Sequence, residues 1–189
     1  MTAKHYPLKN GETVLIRRAR EADLDGYRRV SDACYRETRF LSRCAEDTPP
    51  GADELLDYLR ELADAPDGAL LVAEYGGRIV GFGDVAADRS RRKMRHKCDL
   101  TLVVLRECWR LGIGSALLDA LIGFARAAGF EHVNLNVAHD NERAIRLYAR
   151  FGFQPTGREV HAMKHGEGDY SDFIHMIRFL TDRAGTANT

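Results

Sequence analysis

Apolar positions along this chain change their spacing from two to about three and a half residues and back, which predicts alternating strands and helices. Residues 13–17, TVLIR, read as a short strand, and residues 21 to about 35 as the helix after it. Pro49, Pro50 and Gly51 break the chain before a second helix, in which Leu55, Leu56, Leu59 and Leu62 share one face. Asp67-Gly68 then turns into the strand ALLVAEY. Tyr75-Gly76-Gly77-Arg78 is a hairpin turn, and IVGFGDVAA is its returning strand. DLTLVVL, residues 99–105, predicts another strand, followed by WRLGIG and a long helix that Gly129 closes. From His132 to Val137 the alternation is strict, with Val133, Leu135 and Val137 on one face and Asn134 and Asn136 on the other. Residues 141–150 are helical, and two or three short strands, near Gln154 and around 173–180, finish the chain. The order predicts an α/β fold with a mixed, partly antiparallel central sheet flanked by helices. One domain is expected over residues 1–182, with 183–189 a flexible tail.

Composition narrows the function classes. The chain is 44% hydrophobic and 30% charged with a formal net charge of zero, so no overall basic field argues for nucleic acid. The start, MTAKHYPLKN, lacks a secretory core and no stretch reaches membrane-spanning length, so a cytoplasmic protein with no membrane partner is expected. Cys34, Cys44, Cys98 and Cys108 are too dispersed for a metal cluster or a disulfide scaffold; reduced thiols and no metal are expected. Residues 89–97, RSRRKMRHK, carry six Lys/Arg, read either as a solvated loop or as an attractor of acidic partners.

The chemistry gathers at WRLGIGSALL, residues 109–118. Gly112 and Gly114 stand at the mouth of a helix, although glycine costs about 1 kcal/mol relative to alanine inside one. A helix start offers unpaired N–H groups and partial positive charge, and glycine lets a phosphate approach the backbone. A P-loop would need Lys-Ser or Lys-Thr where Ser115-Ala116 stands, and a dinucleotide fold a small residue in place of Leu117. A tight strand-to-helix turn remains the structural alternative. Further on, Asn141, Ile145 and Tyr148 share a helical face that points Tyr148 back toward the strand ends.

WRLGIGSALL followed by NERAIRLYARFGF resembles the GNAT superfamily of N-acetyltransferases, and the resemblance runs from about Thr13 to Leu180. RRAREADL, the ALLVAEYGGRIVGFGDV hairpin and GDYSDFIHM take part in it, and the pattern is most similar to the ribosomal-protein-alanine and small-amine branch. The family's Gln/Arg-x-x-Gly-x-Gly/Ala signature is altered here: Trp109 stands at the Gln/Arg position and Arg110 where glycine is common.

The resemblance implies the acyl-CoA N-acyltransferase fold, with acetyl-CoA as co-substrate. By position, the backbone of Leu102, Val103 and Val104 would pair with the pantetheine arm. Trp109, Arg110, Leu111, Gly112, Ile113, Gly114 and Ser115 would wrap the pyrophosphate, and Asn141 would contact the cofactor near the arm. The implied reaction is direct attack of a primary amine, small molecule or protein N-terminus, in a ternary complex. Tyr148 is the expected partner of the departing thiolate, and the Val104 N–H a donor to the carbonyl oxygen. For the base, Asp84, His96 and Asp99 remain alternatives, as do Asn134 and Asn136, which could position a water. Phe40, Asp99, Asn134 and Tyr170 are candidate acceptor contacts, with Asp172 beside Tyr170, and a homodimer is a candidate assembly. A non-catalytic acyl-CoA sensor and a transferase of longer acyl groups are the rival readings.

Overall fold

The computed structural model describes residues 3–47 and 50–181; the predicted break at Pro49 and the predicted tail 183–189 lie outside them. Eight strands form one sheet: β1 (Lys4–Pro7), β2 (Thr13–Arg18), β3 (Gly68–Tyr75), β4 (Arg78–Ala87), β5 (Lys97–Val104), β6 (His132–Ala138), β7 (Gln154–Gly166) and β8 (Asp169–Phe179). Their order across the sheet is β1-β2-β3-β4-β5-β6-β8-β7. Every pairing is antiparallel except β5 with β6. The mixed sheet expected from the pattern is therefore present.

Helices α1 (Leu24–Glu37) and α2 (Ala52–Ala63) cover one face, α1 over β4 and β5 and α2 over β3. Leu55, Leu59 and Leu62 are the buried stripe of α2. On the other face α3 (Ile113–Ala127) crosses β2 to β6, and α4 (Glu142–Arg150) follows β6. The first six residues of β3 are all buried because helices cover both faces of that strand. Leu117, Leu118 and Leu121 of α3 are fully buried, and truncating any one to alanine would cost about 2–5 kcal/mol.

Two features departed from the pattern. β1 was not foreseen: KHYP shows no apolar alternation, and as an edge strand it needs none. In place of short terminal strands there is one long hairpin, β7 and β8. Nearly all of β7 is exposed, so periodic burial left no trace in its sequence. RRAREADL proves structural. Arg17 grips Asp23 through two bonds of 2.7 and 2.8 Å and reaches Glu74 at 3.1 Å, while Asp23 accepts the Arg20 N–H. The basic run is a loop containing a short 3-10 turn, and its Arg89 is tied to Asp67 and Glu61.

Candidate active site

The parallel ladder between β5 and β6 is short. Lys97–Asp99 pair with His132–Asn134, and there the ladder ends, while on its other edge β5 stays paired with β4 up to Val104. Beyond Asp99 the two strands part, and a cleft of about 810 Å³ opens between them.

Hydrogen-bond alternation settles which backbone groups face this opening. Leu105 N–H bonds Val80 of β4, and the His96 carbonyl accepts Glu131 N–H on the β6 side. Alternate residues of a strand point their polar groups to opposite edges. Leu102 and Val104 therefore turn theirs into the cleft, while Val103 spends its own on β4. At Val104 the carbonyl is taken: Trp109 Nε1 donates to it over 2.8 Å. The Leu102 amide and the Val104 N–H are left for a ligand.

Helix α3 starts at the same opening. Gly112 caps it at φ +109, and Arg110 before it also has positive φ, at 67°. The turn thus requires Gly112, because an L side chain rarely adopts that conformation. Gly114 has a different reason. A Cβ there would come no nearer than 3.5 Å to any protein atom, so the protein itself does not demand glycine. The first-turn N–H groups of Ile113, Gly114 and Ser115 precede the helical ladder, with Leu102, Val104 and Leu147 side chains beneath Gly114. Leu111 turns away from the cleft, its carbonyl accepting Lys9 N–H at 3.0 Å.

At the inner end lies Tyr148, 7% exposed, its ring edge-on to Phe153 at 5.7 Å. Its hydroxyl has no hydrogen-bond partner among the described residues, and burial pushes its pKa up to about 12. Asn141 lines the cleft as well, but its Oδ1 caps α4 by accepting Ala144 N–H at 3.2 Å. That cap orients the helix carrying Tyr148, and Nδ2 has no acceptor among the described residues.

The cleft thus brings together an open strand edge, a helix N-terminus and a buried phenol. The Acetyltransferase (GNAT) family model matches residues 32–153, well over half of the chain. The chain belongs to the GNAT acetyltransferase family. It is 30% identical over 115 residues to the "Probable N-acetyltransferase camello" of Xenopus laevis, a match covering 61% of this chain and 49% of that one. The chain thus spans about half the length of that relative. A GNAT-family acetyltransferase from Streptococcus pneumoniae superposes with a TM-score of 0.83 at 27% identity, covering 89% of this chain and 99% of that one. A phosphinothricin acetyltransferase from Sinorhizobium meliloti, solved with acetyl-CoA, has the same fold: TM-score 0.79, 24% identity, 100% and 94% covered.

Within this GNAT fold the acceptor candidates separate. Phe40 and Asp99 line the cleft, on the side of the sheet that α1 covers. Asn134 sits behind Asp99, donating to it at 3.3 Å, while its own Oδ1 is buried without a partner among the described residues. Tyr170 is held elsewhere, stacked on His161 at 4.3 Å in the β7–β8 hairpin, and does not line the cleft. Its neighbour Asp172 is consumed by Arg158 and the His161 N–H. Asp84 faces Thr101 across the β4–β5 ladder, and Thr101 is a cleft residue. Burial raises the Asp84 carboxyl from 3.8 to about 6, against the opposing effect of hydrogen bonds from Tyr58 and Thr101. Sequence reasoning missed Thr101, Tyr58 and Arg143, whose guanidinium lies 3.2 Å over the Trp109 ring. The arginine stands inside NERA, where its only sequence signal was a charge on an exposed helix.

Proposed function

We propose that this protein is an acetyl-CoA-dependent N-acetyltransferase acting on a primary amine by direct attack in a ternary complex. The observation that carries this reading is the gap between β5 and β6, edged by the free Leu102 and Val104 amides and ending at the unpartnered phenol of Tyr148. The coenzyme fits what is there. The pantetheine arm would lie along the Leu102–Val104 edge as an added strand. Its diphosphate would sit on the N–H groups of Ile113–Ser115, where Gly114 leaves room. When bound, the coenzyme supplies an acetyl group activated as a thioester.

The chain's residues then have three tasks. The Val104 N–H points into the cleft to donate to the thioester carbonyl oxygen. Tyr148 donates a hydrogen bond to the departing sulfur. A thiol titrates near ~8.5, and a phenol at about 12 therefore keeps its proton. Asp84 accepts the amine proton by way of the Thr101 hydroxyl at the cleft wall. A carboxylate at about 6 is better matched to an α-amino group, near ~8, than to a lysine side chain, near ~10.4. Proton matching therefore favours a peptide or protein N-terminus as acceptor.

Thiol release from acetyl-CoA, measured over a panel of α-amines and ε-amines, tests the reading. Release only with amine present, fastest with α-amines, is expected. Coenzyme binding without release for any amine would make the protein a sensor instead.

A further inference from the structure

The polar groups around Asp84 stop at the Thr101 wall of the cleft, and a second polar row starts on the opposite wall. Asp99 and Asn134 are the last rung of the β5–β6 ladder, and their side chains meet at 3.3 Å. Two residues further along each strand, on the same face of the sheet, stand Thr101 and Asn136. Both are exposed, both line the cleft, and the gap separates them. Behind Thr101 lies Asp84, its direct partner on β4. Behind Asn136 lies His175, its direct partner on β8, with Nδ1 2.5 Å from Asn136 Oδ1. Glu159 of β7 comes next, its carboxylate 3.8 Å from His175 Nε2.

This row fixes which way the Asn136 amide points. An amide oxygen only accepts, so the imidazole Nδ1–H donates to it, while the Glu159 carboxylate holds the far side of the ring. The two branches of an amide diverge from Cγ. With its oxygen drawn over β8, Asn136 turns Nδ2 toward β5 and the gap, where it has no acceptor among the described residues. The cleft therefore has a proton-accepting wall at Thr101 and Asp84 and a donating wall at Asn136. An amine whose nitrogen lies at Thr101 presents to Nδ2 whatever stands on its neighbouring carbon. In a peptide N-terminus that is the first carbonyl, two bonds from the nitrogen, and its oxygen accepts a hydrogen bond. A lysine side chain offers only methylene there. We infer that Asn136 is a specificity-determining residue that reads the carbonyl oxygen beside the acceptor's α-amine, and that His175, backed by Glu159, is the positioning residue that aims its amide. This role for Asn136 rests on the acetyltransferase reading above.

Glycinamide and propargylamine separate the two cases, because they are small amines of similar basicity and only glycinamide carries the carbonyl. Their kcat/KM values, from thiol release at one pH, should be compared for the intact protein, Asn136→Ala, His175→Leu and His175→Gln. Asn136 is exposed and His175 partly so, and circular dichroism checks that the variants fold. The intact protein should prefer glycinamide by about 3- to 10-fold, the range of one neutral hydrogen bond. In Asn136→Ala the ratio of the two amines should fall to near one. His175→Leu should lower the ratio in the same direction, and His175→Gln, whose side-chain amide can donate to Asn136 Oδ1, should restore it. An intact protein that turns over both amines equally, or an Asn136→Ala variant that keeps the preference, would overturn the inference and leave the acetyltransferase reading standing. A His175→Leu variant with the parental ratio would overturn the positioning role. If no amine of the wider panel, α or ε, prompts thiol release, the acetyltransferase reading itself fails and the inference falls with it.

Discussion

Replacing Asp84 by asparagine should make the protein more stable and less active together. Its carboxyl is raised from 3.8 to about 6, with burial as the leading cause, so the folded state resists its ionisation. A raised carboxyl pKa contributes stability that is complete below pH 3.8 and is lost as pH climbs through about 6. The gap corresponds to about 3 kcal/mol at pH 8, an upper bound, because local relaxation softens the cost. Asparagine has nearly the same shape, can still bond the Tyr58 and Thr101 hydroxyls, and never ionises. At pH 8 the Asp84→Asn variant should melt ~5–10 °C above the parent, and the difference should shrink toward zero near pH 4. In the rate assay the parent's kcat/KM should rise through pH 6, and the variant should lose that rise along with most of its activity. Differential scanning fluorimetry at both pH values and a pH–rate profile read the two effects separately. A melting difference that does not change with pH would refute the buried-charge argument. A variant with parental rates would remove Asp84 from proton transfer.

Tyr148→Phe should lower turnover roughly 10- to 1000-fold while coenzyme affinity, measured by titration, stays within a few fold. Asn141→Ala should remove the α4 cap at a cost of about 1 kcal/mol, seen as a melting shift of ~2–4 °C. The two loop glycines should part company in chemical denaturation. Gly112→Ala, forced to φ +109, should lose about 1–2 kcal/mol, whereas Gly114→Ala, with its nearest atom at 3.5 Å, should be neutral or gain up to about 1 kcal/mol.

What the sequence disclosed follows from where burial is periodic. Leu55, Leu59 and Leu62 or Val133, Leu135 and Val137 repeat because one face of each element is dry, and those elements stand where the pattern put them. β7 and β1 are wet or marginal, so their residues answer to no period. At the site, the Gly112 turn and the helical face shared by Asn141 and Tyr148 were legible because turn and face are local properties, whereas the cap that Asn141 makes was not read. The parting of β5 from β6 was not, since DLTLVVL reads the same whether its last residues find a neighbour or a gap. Nor was the Asp84–Tyr58–Thr101 group, whose members come from three elements. The place of Tyr170 outside the cleft lining was hidden for a similar reason: its stacking partner, His161, lies across a hairpin whose register no short-range pattern specifies.

The short β5–β6 ladder also makes this sheet two leaves bound by a narrow spine. β1 to β5 form one leaf and β6, β8 and β7 the other; across the fold they share three rungs and the helix α3 that lies over both. Anything seated in the gap with its anionic groups against the head of α3 would brace both bindings at once. The wedge that the leaves leave open for chemistry is then also the stretch along which they share no rungs.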